Sequence, residues 1–408
     1  MTRVVSRGLS IGVVGGSLGG LTAACLLRDA GHDATIYERS SRELEQRGAG
    51  IGLLEVTSRY LVERAGSSLA DISIATDHIR HLRRDGTVEH ESAHRYVFSS
   101  WNTVYRRLLD HWLPSSYLLD HEMVDFHVGA SDRPAGDGRD GVGVDFGSGA
   151  SASVDLLVCA DGVGSMARSR LQPKAAEGYA GYVAWRGMVP EADLPPHVVG
   201  ALNDAITYYV YANSHILAYP IPGLDGSVRP GERLINFVWY RNYLEGPDFD
   251  DLMIDRFGLR RDLSIPPGSV SAPHDAEVRA HAAARLPAVL AAVVDATEEL
   301  FVQVVYDIEV ERMAFGRVCL LGDAAFAVRP HAAAGTAKAA DDAWTLAAAL
   351  DSGGTLDEAL AGWESTQLAL GRNLLERTRR VGRRSQVDNT WTPGDPDFIF
   401  GLHAPGDS

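Results

Sequence analysis

Three carboxylates, Glu38, Asp161 and Asp323, each close a short apolar run: Ala34-Thr-Ile-Tyr37, Leu156-Leu-Val-Cys-Ala160 and Val318-Cys-Leu-Leu-Gly322. A parallel strand that delivers an acid to its C-terminal edge places it where the hydroxyls of a nucleotide sugar lie, and the carboxylate accepts their hydrogen bonds. A phosphate seat precedes all three. The segment Ile11-Gly-Val-Val-Gly-Gly-Ser-Leu-Gly-Gly20 runs from an apolar strand through a glycine turn into a helix. Gly15 permits the tight turn, Gly20 lets the following helix (Leu21 to Ala30) pack close, and Ser17 and Leu18 lie in the turn beside the helix N-terminus, whose unpaired N–H groups suit phosphate. Ser17 takes the second glycine position of G-x-G-x-x-G, where a small residue still fits. Glu38, with Arg39 beside it, stands about twenty residues past the turn, the place of an acid that takes both ribose hydroxyls of an adenosine and disfavours a 2′-phosphate. The unit reads as a seat for a dinucleotide.

His215 and Tyr219 offer a second chemistry. The two-residue period of a strand puts His215, Leu217 and Tyr219 on one face, so that imidazole and phenol flank one ligand. Neutral imidazole accepts a proton near physiological pH; a histidine merely hydrogen-bonded within the sheet is the alternative. His331, in Arg329-Pro-His-Ala-Ala-Ala-Gly335, either bonds a ligand oxygen or fixes its loop. Arg186 and Arg241, beside aromatics in the second sheet, read as solvated surface pairs, with binding of an anionic group as the alternative.

These residues need two kinds of element to hold them. The first forty residues form a strand–turn–helix–strand unit, and the run 47–53, containing Gly50, is a second close approach of backbone to a partner. Runs 124–128, 142–146 and 154–160, separated by Gly/Ser/Asp turns, predict a β-meander with an exposed hairpin tip between Gly129 and Gly141. Asp161-Gly162 and Gly322-Asp323 end later strands. Ala334 and Gly335 open a helix over 336–350 whose positive end faces the same crevice. Residues 182–243 hold most of the aromatics in alternation with β-branched residues, predicting a second sheet with walls for a planar apolar ligand. Thr355-Leu-Asp-Glu358 is a capping box opening a helix to about residue 384, and the Pro/Gly-rich tail after Asp388 is expected to lie extended over the surface.

The fold class expected is α/β: a Rossmann-like domain (1–70, 96–178, 275–350) with an inserted β-sheet substrate domain (71–95, 179–274) and C-terminal helices and tail (351–408). The chain has 408 residues and a net charge of −16, which argues against nucleic acid and anionic membranes as partners and for a small molecule. Cys25, Cys159 and Cys319 sit in separate apolar runs and read as reduced packing residues. The apolar run before the glycine turn is short for a signal peptide, and 282–296 is broken by Arg285, Pro287 and Asp295, so a cytoplasmic location is expected. No metal is expected, and a homodimer is compatible with the sequence.

With these motifs in this order, the chain resembles the single-component, FAD-dependent aromatic hydroxylases, the 4-hydroxybenzoate hydroxylase family, over essentially its whole length. The resemblance implies that the glycine turn and Glu38 hold the ADP half of a non-covalent FAD, that Asp161-Gly162 serves FAD and the nicotinamide donor, and that Asp323 meets the ribityl chain. Tyr179-Ala-Gly-Tyr-Val-Ala-Trp-Arg-Gly187, Ala218-Tyr-Pro-Ile-Pro-Gly223, Arg329 to Gly335 and Phe398-Ile-Phe-Gly-Leu402 look like the branch acting on hydroxypyridines such as 2,6-dihydroxypyridine at C3, with hydroxynicotinate hydroxylases next in character. Phe326 stands where the family has a histidine, and Ala333-Ala334-Gly335 replaces Gly-Gln-Gly. Tyr105 or Arg106 falls where a flavin-contacting arginine is usual. The implied reaction uses transient NADH and O2, a flavin C4a-hydroperoxide, and a base that takes the proton of a ring hydroxyl. His215, Tyr219 and His331 are its catalytic candidates. A hydroxylase of another phenol or a polyketide-type aromatic is the alternative enzyme, and a flavin-binding sensor or scaffold the alternative outside enzymes.

Overall fold

The structure, a computed structural model, describes residues 8–44, 49–129 and 141–407. Arg47 and Gly48 of the second glycine run and most of the expected hairpin tip lie outside the described residues. One sheet has the strand order Ala314–Phe315, Val318–Leu320, Leu156–Cys159, Ser10–Val14, Asp33–Tyr37, Tyr117–Leu118. All its pairs but the first are parallel, and Val14 is level with both Cys159 and Tyr37, while Cys159 is level with Leu320. That register brings Gly15, Glu38, Asp161 and Asp323 out at one edge. Near-continuous apolar strands of this kind are buried on both faces. The helices Leu18–Asp29 and Gly335–Asp351 cover one side through Leu21, Ala24, Ala343 and Leu346.

The meander is Met123–Val128, Val142–Phe146 and Ser151–Val154. The expected third run, 154–160, is divided at Asp155, and Leu156–Cys159 joins the parallel sheet instead. Asp155 makes the division: its Oδ2 accepts the Ser10 N–H at 2.9 Å, locking the parallel register one residue before the strand begins.

A second sheet of nine strands runs in the order Ser264–Ile265, Phe301–Glu309, Ala176–Pro190, Leu234–Asn242, Ser214–Ile221, Ala205–Tyr211, Ile74–Leu82, Val88–Ser100, Gly50–Gly52. Its two faces differ. Trp185, Ile216, Phe237 and Trp239 point toward the helices Ala272–Arg285 and Ala288–Ala296, separated at Pro287. Alternate residues, including Tyr182, Tyr208, Leu217, Tyr219, Val238 and Tyr240, face Ala332, Ala334 and Ala337 and the C-terminal segment. The capping box is present, and Thr355 starts the helix Leu356–Gln386. After it the tail folds inward rather than lying over the surface: Phe398, Phe400 and Leu402 are buried, and the Phe400 N–H donates to Tyr96 Oη at 2.9 Å. Burial of those apolar rings outweighs the extended preference of the surrounding Pro and Gly.

Phe326, in place of the family histidine, is buried against Gly371 of the long helix. A Cβ at Gly371 would come within 2.5 Å of its ring, so the large side chain depends on the glycine.

Candidate active site

The dinucleotide edge is built from backbone approaches too close for side chains. Gly15 has φ +100°, and a Cβ there would lie 2.3 Å from the Ala160 carbonyl oxygen; one at Gly20 would lie 1.9 Å from that of Gly15. Ser17 caps the first helix with backbone only, leaving its initial N–H groups to an incoming anion. Leu18 is core. Glu38 is buried and accepts the N–H of Gly16 at 2.8 Å and of Ser40 at 2.9 Å, one on each oxygen, which aims the carboxylate beside the turn with lone pairs to spare. Arg39 is exposed next to it.

Asp161 is held by a long bond from the Ala167 N–H at 3.4 Å, and its buried Oδ1 has no partner among the described residues. Burial raises its carboxyl pKa. Gly162, with φ +78°, turns the chain after it. Asp323 is exposed to solvent, yet desolvation by the surrounding protein pushes its pKa up to about 6, against the opposing charge of Lys338. Gly322, with φ +63°, donates its N–H to Asp342 at 2.8 Å, and Asp342 is tied to Lys338 at 2.7 Å with both side chains buried. The helix after Ala334 also begins without a side-chain cap. An unpartnered carboxylate oxygen, two uncapped helix starts and glycine backbone at one edge fit FAD, with Gly15, Glu38, Asp161 and Asp323 as the residues that would hold it.

Tyr105 is not placed as a ligand contact. Its hydroxyl accepts the Leu44 N–H at 3.0 Å and meets Tyr117 Oη at 3.2 Å, and Tyr117 in turn donates to the Gly16 carbonyl at 3.0 Å. It braces the glycine turn from behind, while Arg106 is exposed on the same helix. Gly50 has its N–H on Asn236 Oδ1 and its carbonyl on Arg186, both at 2.9 Å. Arg186 is therefore no surface pair: it ties two strands of the sheet together. Arg241 does pair with Glu277, at 2.8 and 2.9 Å.

His215 and His331 come together on the inner face of the large sheet, ring centroids 5.5 Å apart, with Tyr240 at 4.6 and 4.8 Å from each. His331 Nε2 is 2.7 Å from Tyr182 Oη. Tyr219 lies two residues beyond Leu217 on the same face and is stacked on Phe98 at 4.1 Å, so it is set apart from the histidine pair along the strand. Trp391 covers His215 at 4.9 Å, and the Gln386 amide is 3.1 Å from its Nδ1. Tyr182, Tyr240, Asn236, Gln386 and Trp391 were not singled out from sequence. Tyr182, Asn236 and Tyr240 follow from cross-strand register, Tyr240 pairing with His215 and Asn236 with Tyr219; Gln386 and Trp391 have no local signal.

Burial governs the titration here. It pushes the His215 imidazole down to about 3, helped by the nearby His81, and takes His331 well below its ordinary value. The expectation of a near-neutral base is thus corrected for the free site, where both rings stay neutral at physiological pH. The Tyr219 hydroxyl is pushed up to about 12 and remains protonated. His81 is stacked on Tyr208 at 5.1 Å, and burial lowers it to about 4, with neither ring nitrogen partnered among the described residues. A folded-state pKa below the unfolded one means that its contribution is complete above about pH 6.5 and is lost as pH falls toward 4. His81→Phe, which keeps an aromatic over Tyr208, should shrink the stability difference between pH 7 and pH 5 by about 2 kcal/mol. Urea unfolding of both proteins at the two pH values measures this, and equal differences would count against it.

A dinucleotide edge facing an enclosed, histidine-bearing aromatic sheet defines an oxidoreductase with a nucleotide cofactor. Residues 273–377 match an FAD binding domain family, 179–307 an FAD binding domain-like family, and 13–42 an NAD(P)-binding Rossmann-like domain. The chain is 36% identical to 2,6-dihydroxypyridine 3-monooxygenase of Paenarthrobacter nicotinovorans, over 96% of this chain and 95% of that one. It is 28% identical to 6-hydroxynicotinate 3-monooxygenase of Bordetella bronchiseptica, over 96% and 94%. The solved structure of 2,6-dihydroxypyridine-3-hydroxylase from Arthrobacter nicotinovorans superimposes with a TM-score of 0.90 at 35% identity, covering 97% of this chain and 98% of that one. The chain belongs to the FAD-dependent aromatic-ring monooxygenases. FAD is its cofactor, NAD(P)H fits as the electron donor, and a small aromatic and O2 are its reactants. Among the described residues no helix is long and apolar enough to cross a membrane.

Proposed function

We propose that this enzyme hydroxylates a hydroxypyridine, 2,6-dihydroxypyridine at C3 being the leading case, with NADH as donor. The observation that carries the reading is the buried face bearing His215 and Tyr219, in a chain 36% identical to the P. nicotinovorans enzyme across 96% of its length. The cations around that face support a ring without a carboxylate. Arg329 is committed to Asp307 at 2.8 and 3.0 Å, and both terminal nitrogens of Arg186 are taken by Gly50 and Gln303, so neither offers the bidentate fork a carboxylate prefers.

Bound FAD supplies the electron transfer and the activation of O2. Neutral His215 takes the ring hydroxyl proton, the ring is left as an oxyanion with more electron density at the neighbouring carbon, and the new imidazolium pairs with it. Tyr219 donates a hydrogen bond that holds the ring in place. His331, fixed by Tyr182, closes the loop that feeds the helix Gly335–Asp351. Tyr182, Tyr208, Tyr240 and Trp391 exclude water. Free, buried Cys25, Cys159 and Cys319 support a cytoplasmic, reducing location.

The test is a panel of hydroxypyridines, hydroxynicotinates and hydroxybenzoates, read by NADH and NADPH consumption and by product mass. 2,6-Dihydroxypyridine is expected to stimulate NADH oxidation and gain one oxygen; a hydroxybenzoate as the sole hydroxylated ring would overturn the assignment. Tyr219→Phe should retain FAD yet divert more NADH to H2O2, because the ring is held less firmly at the reacting position. Coupling equal to that of the unaltered enzyme would remove Tyr219 from the site.

A further inference from the structure

We propose that Gln386 is a positioning residue that decides which nitrogen of His215 acts as the base, a role that rests on the reading of His215 given above. Gln386 is the last residue of the helix Leu356–Gln386 and is 1% exposed. Its carbonyl accepts Asn242 Nδ2 at 2.8 Å, which pins the helix end to the strand Leu234–Asn242 beside His215. Its side-chain amide lies 3.1 Å from His215 Nδ1 and 3.2 Å from Ser385 Oγ, while its Oε1 is buried without a partner among the described residues.

A neutral imidazole carries one N–H and one lone pair, so the group facing Nδ1 fixes what Nε2 can do. With the amide nitrogen donating to Nδ1, the proton sits on Nε2 and no lone pair faces the ligand. Turned by 180° about its last bond, the amide presents Oε1, a change invisible to its shape. Oε1 then accepts Nδ1–H, the Ser385 hydroxyl keeps its bond to the Gly382 carbonyl at 3.2 Å, and His215 Nε2 is left with its lone pair. Only this arrangement removes a substrate proton: the hydroxyl O–H bond breaks, an N–H bond forms at Nε2, and the electron pair stays on the ring oxygen. It also leaves the imidazolium with an acceptor at Nδ1. The remaining titratable groups around His215 are His331, His81 and Tyr240, and none of them is placed to accept from Nδ1.

Two variants of the FAD-loaded enzyme test the role. Gln386→Met removes the acceptor at similar volume and should lower kcat about 10- to 100-fold with KM and FAD content little changed. Gln386→Glu offers only acceptors, so it should retain kcat within several-fold and move the acid limb of the kcat profile up by about one pH unit or more, since a carboxylate favours imidazolium. Gln386→Met with unaltered kcat, or both variants falling equally with no pH shift, overturns the proposal. Should Gln386→Met fail to fold, the profile of Gln386→Glu decides alone, and an unshifted limb overturns it. His215→Ala is measured alongside: a fast His215→Ala defeats the base reading itself, whereas a slow His215→Ala with a fast Gln386→Met defeats only the role of Gln386.

Discussion

His215→Ala is expected to keep FAD and bind the aromatic substrate while hydroxylating about 10²- to 10⁴-fold more slowly. The imidazole is walled by Tyr240, His331 and Trp391, so bulk water does not readily replace it as a proton acceptor. Burial holds the free ring's pKa at about 3, so the unaltered enzyme carries a neutral base through the whole physiological range and loses none of it on mild acidification. The variant has no such group and must wait for the substrate to ionise on its own. Its rate should therefore climb with pH, about tenfold per unit, until the ring hydroxyl is ionised in solution. A histidine needed only for packing would instead lower thermal stability and show no such rescue. Unaltered hydroxylation in His215→Ala would move the search for the base to His331, the other neutral imidazole on this face.

The nucleotide half of the site was legible because each part of it is local. Gly15, Glu38, Asp161 and Asp323 are all read from a strand and the turn that follows, and parallel register does the rest by aligning Val14, Tyr37, Cys159 and Leu320. The shared face of His215 and Tyr219 was legible for the same reason, through the period of one strand. What the sequence hid depends on partners far along the chain. Gln386 lies 171 residues from His215, and the Phe400 N–H lies 304 residues from the Tyr96 hydroxyl that it reaches. The tail was misjudged because Pro and Gly speak for local extension, whereas the fate of Phe398 and Phe400 was set by an apolar surface no nearby residue reveals. Tyr105 fell at a motif position, yet its hydroxyl is consumed by Leu44 and Tyr117. Position in a motif does not report which way a helical side chain turns.

Asp323→Ala is expected to leave purification largely colourless, at a melting temperature close to that of the unaltered apoprotein. Its carboxylate is one of the few charged groups at the parallel edge not already engaged by protein: Glu38 is held by Gly16 and Ser40, and Asp342 by Lys338 and Gly322. Each hydrogen bond from a polyol hydroxyl to such a carboxylate contributes about 1.5 to 3 kcal/mol, so losing it costs on the order of 10- to 100-fold in FAD affinity. The pH dependence carries a definite sign. Hydroxyl donors favour the ionised carboxylate, whose pKa in the free protein is raised to about 6, so protons compete with FAD and affinity should fall by up to about tenfold per unit below that value. Asp323→Asn should bind weakly and lose this dependence. Titration of apoprotein with FAD, followed by flavin fluorescence between pH 5 and 8, measures both effects, and acid precipitation of the unaltered enzyme should release all of its flavin. Asp323→Ala carrying a full complement of FAD would transfer the contact to Asp161, whose unpartnered Oδ1 is the other uncommitted acceptor at that edge.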